Sequence, residues 1–236
     1  MPNASPGIDA YLDAVIFDFD GVIVESTDIK TAAFRALFAD HPDHVDDVEA
    51  LHRRHEGVNR SIKFEMIYRD ILRRPLDAET KAALAHRYGE IVVDQVVACP
   101  AVAGVPEVLE ALGRHVPLAV VSSTPDAELR QIVARRDLAR YFRTVRGAPP
   151  AKAAAVAEVI ATFGWAAPRV AMIGDTVADL EAARSNGLRF VGRLAPDRAN
   201  AFPVGTPVVA DLSGLPGILM SRAGAGRKSA KGMPVP

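Results

Sequence analysis

The 236-residue chain contains one cysteine and one tryptophan, and it has no long uninterrupted apolar run. The single cysteine, Cys99, excludes an internal disulfide, which fits a reducing compartment. No stretch reaches the roughly 18 apolar residues that a membrane-spanning helix needs, and residues 1–13 lack the apolar segment of a secretory signal. We therefore expect a cytoplasmic protein without a membrane partner.

An excess of charge of either sign is also missing. The 28 basic and 29 acidic residues give a net charge of −1, which argues against a nucleic-acid partner. Residues 221–236 are different, because they carry Lys and Arg without any acidic residue among Gly, Ala and Ser. We expect this segment to be a flexible tail.

Short apolar runs alternate with amphipathic helical patterns over much of the chain, in which 49% of residues are hydrophobic. This alternation predicts an α/β fold with a doubly wound, mainly parallel sheet and an inserted α-helical cap domain. Residues 1–26 and 99–220 would form the α/β core, and residues 27–98 the helical cap. The predicted strands are 14–17, 118–121, 170–173, 189–191 and 208–210, and the predicted core helices are 106–112, 126–135, 151–163 and 177–186.

Two carboxylates at the end of the first predicted strand are the most informative feature. Asp18 and Asp20 follow the apolar run Ala14–Phe17, and Gly21 lets the chain turn after them. Because carboxylates this close repel each other, the pair predicts a hard cation, namely Mg²⁺. Two alternatives are a solvated acidic turn and an EF-hand loop, although an EF-hand has its glycine at the sixth position and polar neighbours.

Three further motifs follow in order: Val120-Val121-Ser122-Ser123, Lys152 at a helix start, and Ile173-Gly174-Asp175-Thr176-Val177-Ala178-Asp179. Together with Asp18-Phe19-Asp20-Gly21 they resemble the haloacid dehalogenase (HAD) superfamily. The resemblance extends to the subgroup with a helical C1 cap that includes phosphoglycolate phosphatases and β-phosphoglucomutases. Lys152 follows Gly-Ala-Pro-Pro-Ala here, where many members have a Gly-Lys-Pro type of run.

The resemblance implies a set of catalytic side chains. Asp18 would be the nucleophile that forms an aspartyl-phosphate, and Asp20 would act as general acid and then base. Ser122 would bind a phosphoryl oxygen and Lys152 would neutralise phosphoryl charge. Asp20 favours phosphate-ester chemistry, because dehalogenases and phosphonatases of the superfamily typically lack this second carboxylate.

The family pattern also implies the metal ligands. They are the Asp18 carboxylate, the Asp20 backbone carbonyl and Asp175, with Asp179 one helical turn further on and able to reach the ion or its waters. Taken alone, Gly174-Asp175 also fits a tight turn with an N-capping aspartate. Ser122-Ser123-Thr124-Pro125 likewise fits the cap of the helix that begins near Asp126.

Substrate specificity would lie in the cap. The segment Glu56–Lys63 is similar to the cap specificity loop of β-phosphoglucomutases, so Arg60 and Lys63 would bind a second anionic group of the substrate. Lys30 stands where those mutases have a histidine, and Ser123 is a second candidate donor to substrate. A solvated helix start is the alternative for Arg60 and Lys63. The histidine pairs His41/His44 and His52/His55 are interpreted as solvated helix faces.

The sequence thus predicts a Mg²⁺-dependent phosphatase that hydrolyses a small, anionic phosphate monoester of metabolism through an aspartyl-phosphate. A phosphomutase that transfers the phosphoryl group to a sugar hydroxyl is one alternative. A binding or regulatory protein that kept the scaffold without turnover is another.

Overall fold

A computed structural model describes residues 12–221, so the predicted tail, apart from Ser221, lies outside the described residues. Among these residues, no helix is both long and apolar enough to cross a bilayer. The strands are β1 (Ala14–Phe17), β2 (Leu118–Pro125), β3 (Thr144–Ala148), β4 (Val170–Gly174), β5 (Arg189–Arg193) and β6 (Val208–Val209). The α-helices are α1 (Thr27–Leu37), α2 (Val45–Arg54), α3 (Arg60–Met66), α4 (Ala78–Ala98), α5 (Val105–Gly113), α6 (Asp126–Arg135), α7 (Lys152–Phe163), α8 (Val177–Ser185) and α9 (Leu215–Ser221).

The six strands form one parallel sheet in the order β3-β2-β1-β4-β5-β6. This confirms the predicted doubly wound α/β fold. Strand β1 lies at the point where the strand order reverses, between β2 and β4, with Phe17 paired to both Val120 and Ile173. In open parallel sheets, ligands bind at the carboxyl ends of the strands beside such a point.

Both faces of the sheet are covered, as the continuous apolar character of its central strands requires. Val15 and Phe17 belong to an apolar cluster that includes side chains of α5 and α6. Ala14 and Ile16, on the opposite face, pack with side chains of α7 and α8. Every residue of β1 is buried, so the strand end that carries Asp18 is fixed from two sides.

Strand β3 was absent from the predicted strands, and its composition explains why. It reads Thr-Val-Arg-Gly-Ala, in which a single β-branched apolar residue is flanked by polar residues and glycine. As the edge strand it pairs with β2 alone, so burial on both faces is not required of it.

Helices α1 to α4 lie between β1 and β2 in the chain, where the sequence predicts helices and no strand. Phe64 and Ile67 are buried as their spacing predicts, although a π-helical segment, Ile67–Ile71, follows α3. Asp77 caps α4 by accepting a hydrogen bond from the Thr80 amide at 2.7 Å. We refer to residues 27–98 as the helical insert, and the domain boundaries stay a prediction.

One interpretation of the helical insert was wrong. His52 does not lie on a solvated face of α2, because only 3% of its surface is exposed. Its ring packs against Phe34 of α1, with 4.4 Å between the ring centroids. The apolar face of α2 thus includes a histidine.

Candidate active site

Asp18 lies at the carboxyl end of β1, where its backbone amide donates to the Ile173 carbonyl of β4 at 2.8 Å. Its side chain is buried, with Oδ1 accepting from the Phe19 amide at 2.7 Å and Oδ2 lying 2.9 Å from Lys152 Nζ. Burial raises the pKa of Asp18 to about 7, even though Lys152 opposes the rise. Asp18 is thus a buried carboxylate beside one ammonium at the end of β1, and its role as nucleophile stays a prediction.

Asp175 follows β4 and faces Asp18 across the strand ends. One carboxylate oxygen each from Asp18, Asp175 and Asp179 lies within 4.8 Å of the others. Asp175 Oδ1 is buried and has no hydrogen-bond partner within residues 12–221. Burial and then the charges of Asp179 and Asp18 raise the pKa of Asp175 well above its usual range. A buried, unpartnered oxygen in a carboxylate cluster fits a site for a hard divalent cation.

Two glycines let these carboxylates approach. Gly21 has a φ of 73°, and a Cβ atom there would lie 2.0 Å from Asp175 Oδ2. At Gly174, a Cβ atom would lie 2.2 Å from the Cβ atom of Asp179. A side chain at either position would therefore push an acidic residue out of the cluster.

Lys152 and Asp179 form a buried pair behind Asp18. Lys152 Nζ donates to Asp179 Oδ1 at 2.6 Å, and Thr176 donates to Asp179 Oδ2 through its amide at 3.0 Å and its hydroxyl at 2.6 Å. Asp179 thereby completes a capping box at the start of α8. Burial would lower the pKa of Lys152, but the charges of Asp179 and Asp18 raise it above its usual value. The ammonium is thus permanently charged beside Asp18.

The Asp20 carboxylate has partners in both the core and the helical insert. Its carboxylate lies 2.5 Å from Lys30 Nζ and accepts from Ser26 Oγ at 2.7 Å and Thr124 Oγ1 at 2.9 Å. Burial would raise the pKa of Asp20, but Lys30 and these hydroxyl donors lower it. Lys30 lines the cavity, and its contacts with Asp20 and Thr124 join the helical insert to the core.

The two serines in the carboxyl-terminal half of β2 have different surroundings. Ser122 Oγ lies 3.2 Å from the Thr124 amide and 3.5 Å from Asp20 Oδ2, beside the strand end. Ser123 Oγ donates to the Gly57 carbonyl of the insert at 2.6 Å, so its hydroxyl is engaged between the two parts of the protein. Neither serine caps α6, whose N-terminal residue has no side-chain cap.

Arg60 and Lys63 both line the cavity, but their partners differ. Arg60 makes two hydrogen bonds to Glu128 of α6, at 3.1 and 2.7 Å, and its guanidinium lies 5.0 Å from the centre of the Tyr88 ring. Lys63 Nζ lies 3.1 Å from His52 Nδ1. The predicted substrate contacts of Lys30, Arg60, Lys63 and Ser123 stay predictions.

A narrow cavity of about 80 Å³ connects these groups. Its core side is formed by side chains of Asp18, Asp20, Ser122, Lys152 and Asp175, and its insert side by side chains that include Lys30, Phe34, Lys63 and Tyr88.

Several side chains of the site are not among the predicted site residues. Thr124 and Ser26 hold Asp20, Glu128 holds Arg60, and His52 contacts Lys63. Thr124 directly follows Ser122 and Ser123 in the sequence, so its place in the site is the easiest of these to predict. Nothing in the local sequence marks His52 or Glu128, because their partners lie on other helices.

Comparison with known proteins places the fold and the site in a family. The model of the haloacid dehalogenase-like hydrolases matches residues 15–193. The chain belongs to this family. The predictions of family and of a hydrolase are therefore confirmed, and the carboxylate cluster and Lys152 lie within the matched residues.

Relatives of this hydrolase cover most of its length. It is 29% identical to phosphoglycolate phosphatase of Synechococcus elongatus over 181 residues, which are 75% of this chain and 81% of the relative. A crystal structure of CbbY from Rhodobacter sphaeroides in complex with phosphate superposes with a TM-score of 0.69 at 15% identity. That likeness, over 86% of this chain and 96% of CbbY, supports the fold.

Proposed function

We propose that this hydrolase is a Mg²⁺-dependent phosphatase that cleaves a small, anionic phosphate monoester through an aspartyl-phosphate on Asp18. The observation that carries the proposal is the buried Asp18 carboxylate, 2.9 Å from Lys152, in a cluster with the unpartnered oxygen of Asp175. The similarity to phosphoglycolate phosphatase of Synechococcus elongatus supports the same reaction class.

The carboxylate cluster fits Mg²⁺, which prefers oxygen ligands. Asp18, Asp175 and the backbone carbonyl of Asp20 would hold the ion. When bound, Mg²⁺ would offset the negative charge of the phosphoryl oxygens and of the clustered carboxylates. Both oxygens of Asp179 already accept hydrogen bonds from Lys152 and Thr176, so we assign it to holding Lys152.

The first step is attack of an Asp18 oxygen on phosphorus, which forms the acyl phosphate as the bond to the leaving oxygen breaks. Asp20 must be protonated for this step, so its carboxylate first has to leave the ion pair with Lys30; it then gives its proton to that oxygen, and the alcohol leaves. Asp20 then takes a proton from water as the water oxygen attacks phosphorus, which restores Asp18 and releases phosphate. Lys152 and Ser122 hold the phosphoryl oxygens, whose charge spreads in the transition state.

A small substrate is favoured because the helical insert contacts the core beside the cavity. Hydrogen bonds between Ser123 and Gly57, and between Asn59 Nδ2 and the Ser123 carbonyl at 2.9 Å, join the insert to the core. A larger substrate would have to separate these contacts. Lys30 and Lys63 supply positive charge on the side of the leaving group.

The test is phosphate release from small phosphoesters with and without Mg²⁺. The panel contains phosphoglycolate, three-carbon phospho acids, hexose phosphates and nucleotides, assayed with the natural protein and the Asp18→Asn variant. We expect Mg²⁺-dependent release, greatest for the smallest anionic esters, that is lost in the variant. No release from any ester would contradict the proposal, and Asp18-dependent interconversion of hexose phosphates would replace it with a phosphomutase.

A further inference from the structure

Lys63 is a buried cation without a carboxylate partner. Only 3% of its surface is exposed, and among residues 12–221 its polar contact is His52 Nδ1 at 3.1 Å. The two nearest acidic groups are committed elsewhere, since Asp20 pairs with Lys30 at 2.5 Å and Glu56 with Arg198 at 3.2 Å. Burial and then the charge of Lys30 lower the pKa of Lys63 to about 7, so an anion bound beside Lys63 would stabilise its charged form.

The surroundings of Lys63 point to an anion that is small and enters from the cavity. Lys63, Lys30 and His52 all line the cavity that contains Asp18, and the walls beside them are the rings of Phe34 and Tyr88. Lys63 Nζ lies 5.4 Å from the centre of the Phe34 ring, a weak cation–π contact that leaves the ammonium free to bind an anion. The charge of Arg60 is balanced by Glu128, which accepts from both terminal nitrogens, whereas Lys63 has no carboxylate partner among residues 12–221.

The contact with His52 sets the orientation of the ammonium. When Lys63 is charged, its ammonium has only donors, so the His52 ring nitrogen 3.1 Å away acts as the acceptor and the neutral imidazole has its proton on Nε2. Burial, followed by the charges of Lys63 and Lys30, lowers the pKa of His52 to about 2, which agrees with the neutral ring.

We propose that Lys63, oriented by neutral His52 and assisted by Lys30, binds a carboxylate on the leaving group of the substrate. This inference rests on the proposed phosphatase activity and names its substrate class as phosphate monoesters of small hydroxy acids. A carboxylate carries one negative charge, which matches the one ammonium of the cavity that has no carboxylate partner among residues 12–221. Lys63 is then a specificity-determining residue, and His52 is its positioning residue.

The first experiment compares phosphoglycolate with 2-hydroxyethyl phosphate, which has a neutral hydroxymethyl group in place of the carboxylate. The readout is the ratio of the two kcat/KM values. Lys63→Met should lower this ratio about 10- to 100-fold, as expected for losing a hydrogen-bonded charge. The matched control is Lys81→Met, which removes a half-buried lysine that pairs with Glu65 in the same insert and should leave the ratio unchanged.

Two His52 variants test whether His52 positions Lys63. A general loosening of the insert would affect both variants equally, whereas loss of the acceptor affects only one of them. His52→Leu should lower the same ratio about tenfold through the KM for phosphoglycolate, whereas His52→Asn, which keeps an acceptor oxygen, should restore most of it. A ratio within twofold of the natural protein in folded Lys63→Met, or equal ratios in the two His52 variants, would overturn the inference. Preference for ethylene glycol bisphosphate over phosphoglycolate would also overturn the carboxylate assignment.

Binding separates this inference from the proposed function. In the Asp18→Asn background, calorimetry with phosphoglycolate in the presence of Mg²⁺ requires no turnover. Adding Lys63→Met should weaken binding about 10- to 100-fold. If binding weakens in this way but the natural protein hydrolyses no ester, the carboxylate site is retained and the phosphatase is rejected. If Lys63→Met leaves binding unchanged and the natural protein hydrolyses esters, only the carboxylate site is rejected.

Discussion

The two sides of the cavity differ in the sign of their charge and in how that charge is balanced. On the core side, Asp18, Asp175 and Asp179 crowd around one ammonium, Lys152, and an Asp175 oxygen has no partner. On the insert side, Lys30 and Lys63 stand near each other, and Lys63 has no carboxylate partner. The core side lacks positive charge and the insert side lacks negative charge.

This difference shows how the work is divided. Excess carboxylates favour a divalent cation, which in turn attracts a phosphoryl group, and the unpaired lysine favours a second anion on the same substrate. A doubly anionic substrate with its metal ion therefore completes both sides at once. Removing one charged group from either side should therefore change stability or activity, and the excess charge on that side sets the direction of the change.

The largest effect on stability is expected for Lys152→Met. This change leaves Asp18 and Asp179 buried without their cation, which costs about 3 to 5 kcal/mol for a broken buried ion pair. Urea unfolding at pH 8 without Mg²⁺ measures the change in the free energy of unfolding. Lys81→Met is the control and should change it by less than about 0.5 kcal/mol. A loss below about 1 kcal/mol in Lys152→Met would show that the core carboxylates are not short of positive charge.

Asp175→Asn should act in the opposite direction on stability while impairing the reaction. Removing one of the crowded carboxylates relieves repulsion, so the metal-free variant should be at least as stable as the natural protein. Mg²⁺ should raise the unfolding temperature of the natural protein and not that of the variant. Phosphate release should fall by about 10²- to 10³-fold. Equal stabilisation by Mg²⁺ in both proteins would remove Asp175 from the metal ligands.

His52 should give the insert side a distinct pH dependence. Its pKa falls from about 6.5 in an unfolded chain to about 2 in the fold, so between these values only the unfolded state binds the proton. Stability through His52 is complete above pH 6.5 and decreases by about 1.4 kcal/mol for each pH unit below it. We therefore expect His52→Asn to lose about 2 kcal/mol less stability than the natural protein between pH 7 and pH 5.

Urea unfolding at the two pH values measures this difference. His86→Asn is the matched control, because His86 is exposed in the same insert and should follow the natural protein. Parallel losses in the natural protein and His52→Asn would show that His52 is protonated in the fold, and would remove the acceptor that orients Lys63.

The core side of the site was largely predictable from sequence, and the insert side was not. Asp18 and Asp175 each follow a buried strand and Ser122 lies in the carboxyl-terminal half of β2, so parallel pairing of β1, β2 and β4 brings them to one edge. Lys152 was predictable as the start of α7. These positions depend on strand order and on short motifs, both of which leave a local signal in the chain.

The contacts of the insert depend on packing between helices, which has no such local signal. His52 reads as one more polar residue near Arg53 and Arg54, and only its contact with Phe34 shows that it is buried. Arg60 was expected to meet substrate, yet its partner Glu128 lies 68 positions away on a core helix. Helical periodicity identifies the buried face of a helix but not the residue that faces it.

The smallest effect is expected for the bridge between Arg60 and Glu128, and it sharpens the contrast with Lys63. Both side chains are mostly buried, and the bridge joins the insert to the core. Glu128→Gln should weaken this bridge by about 1 kcal/mol or a little more, because one member of a charged pair is lost while a hydrogen-bonding group stays. The result should be a rise of several-fold in KM that is equal for phosphoglycolate and 2-hydroxyethyl phosphate. A loss confined to phosphoglycolate would instead mean that Glu128 tunes an Arg60 that binds the carboxylate, and the anion site would then extend beyond Lys63 to Arg60.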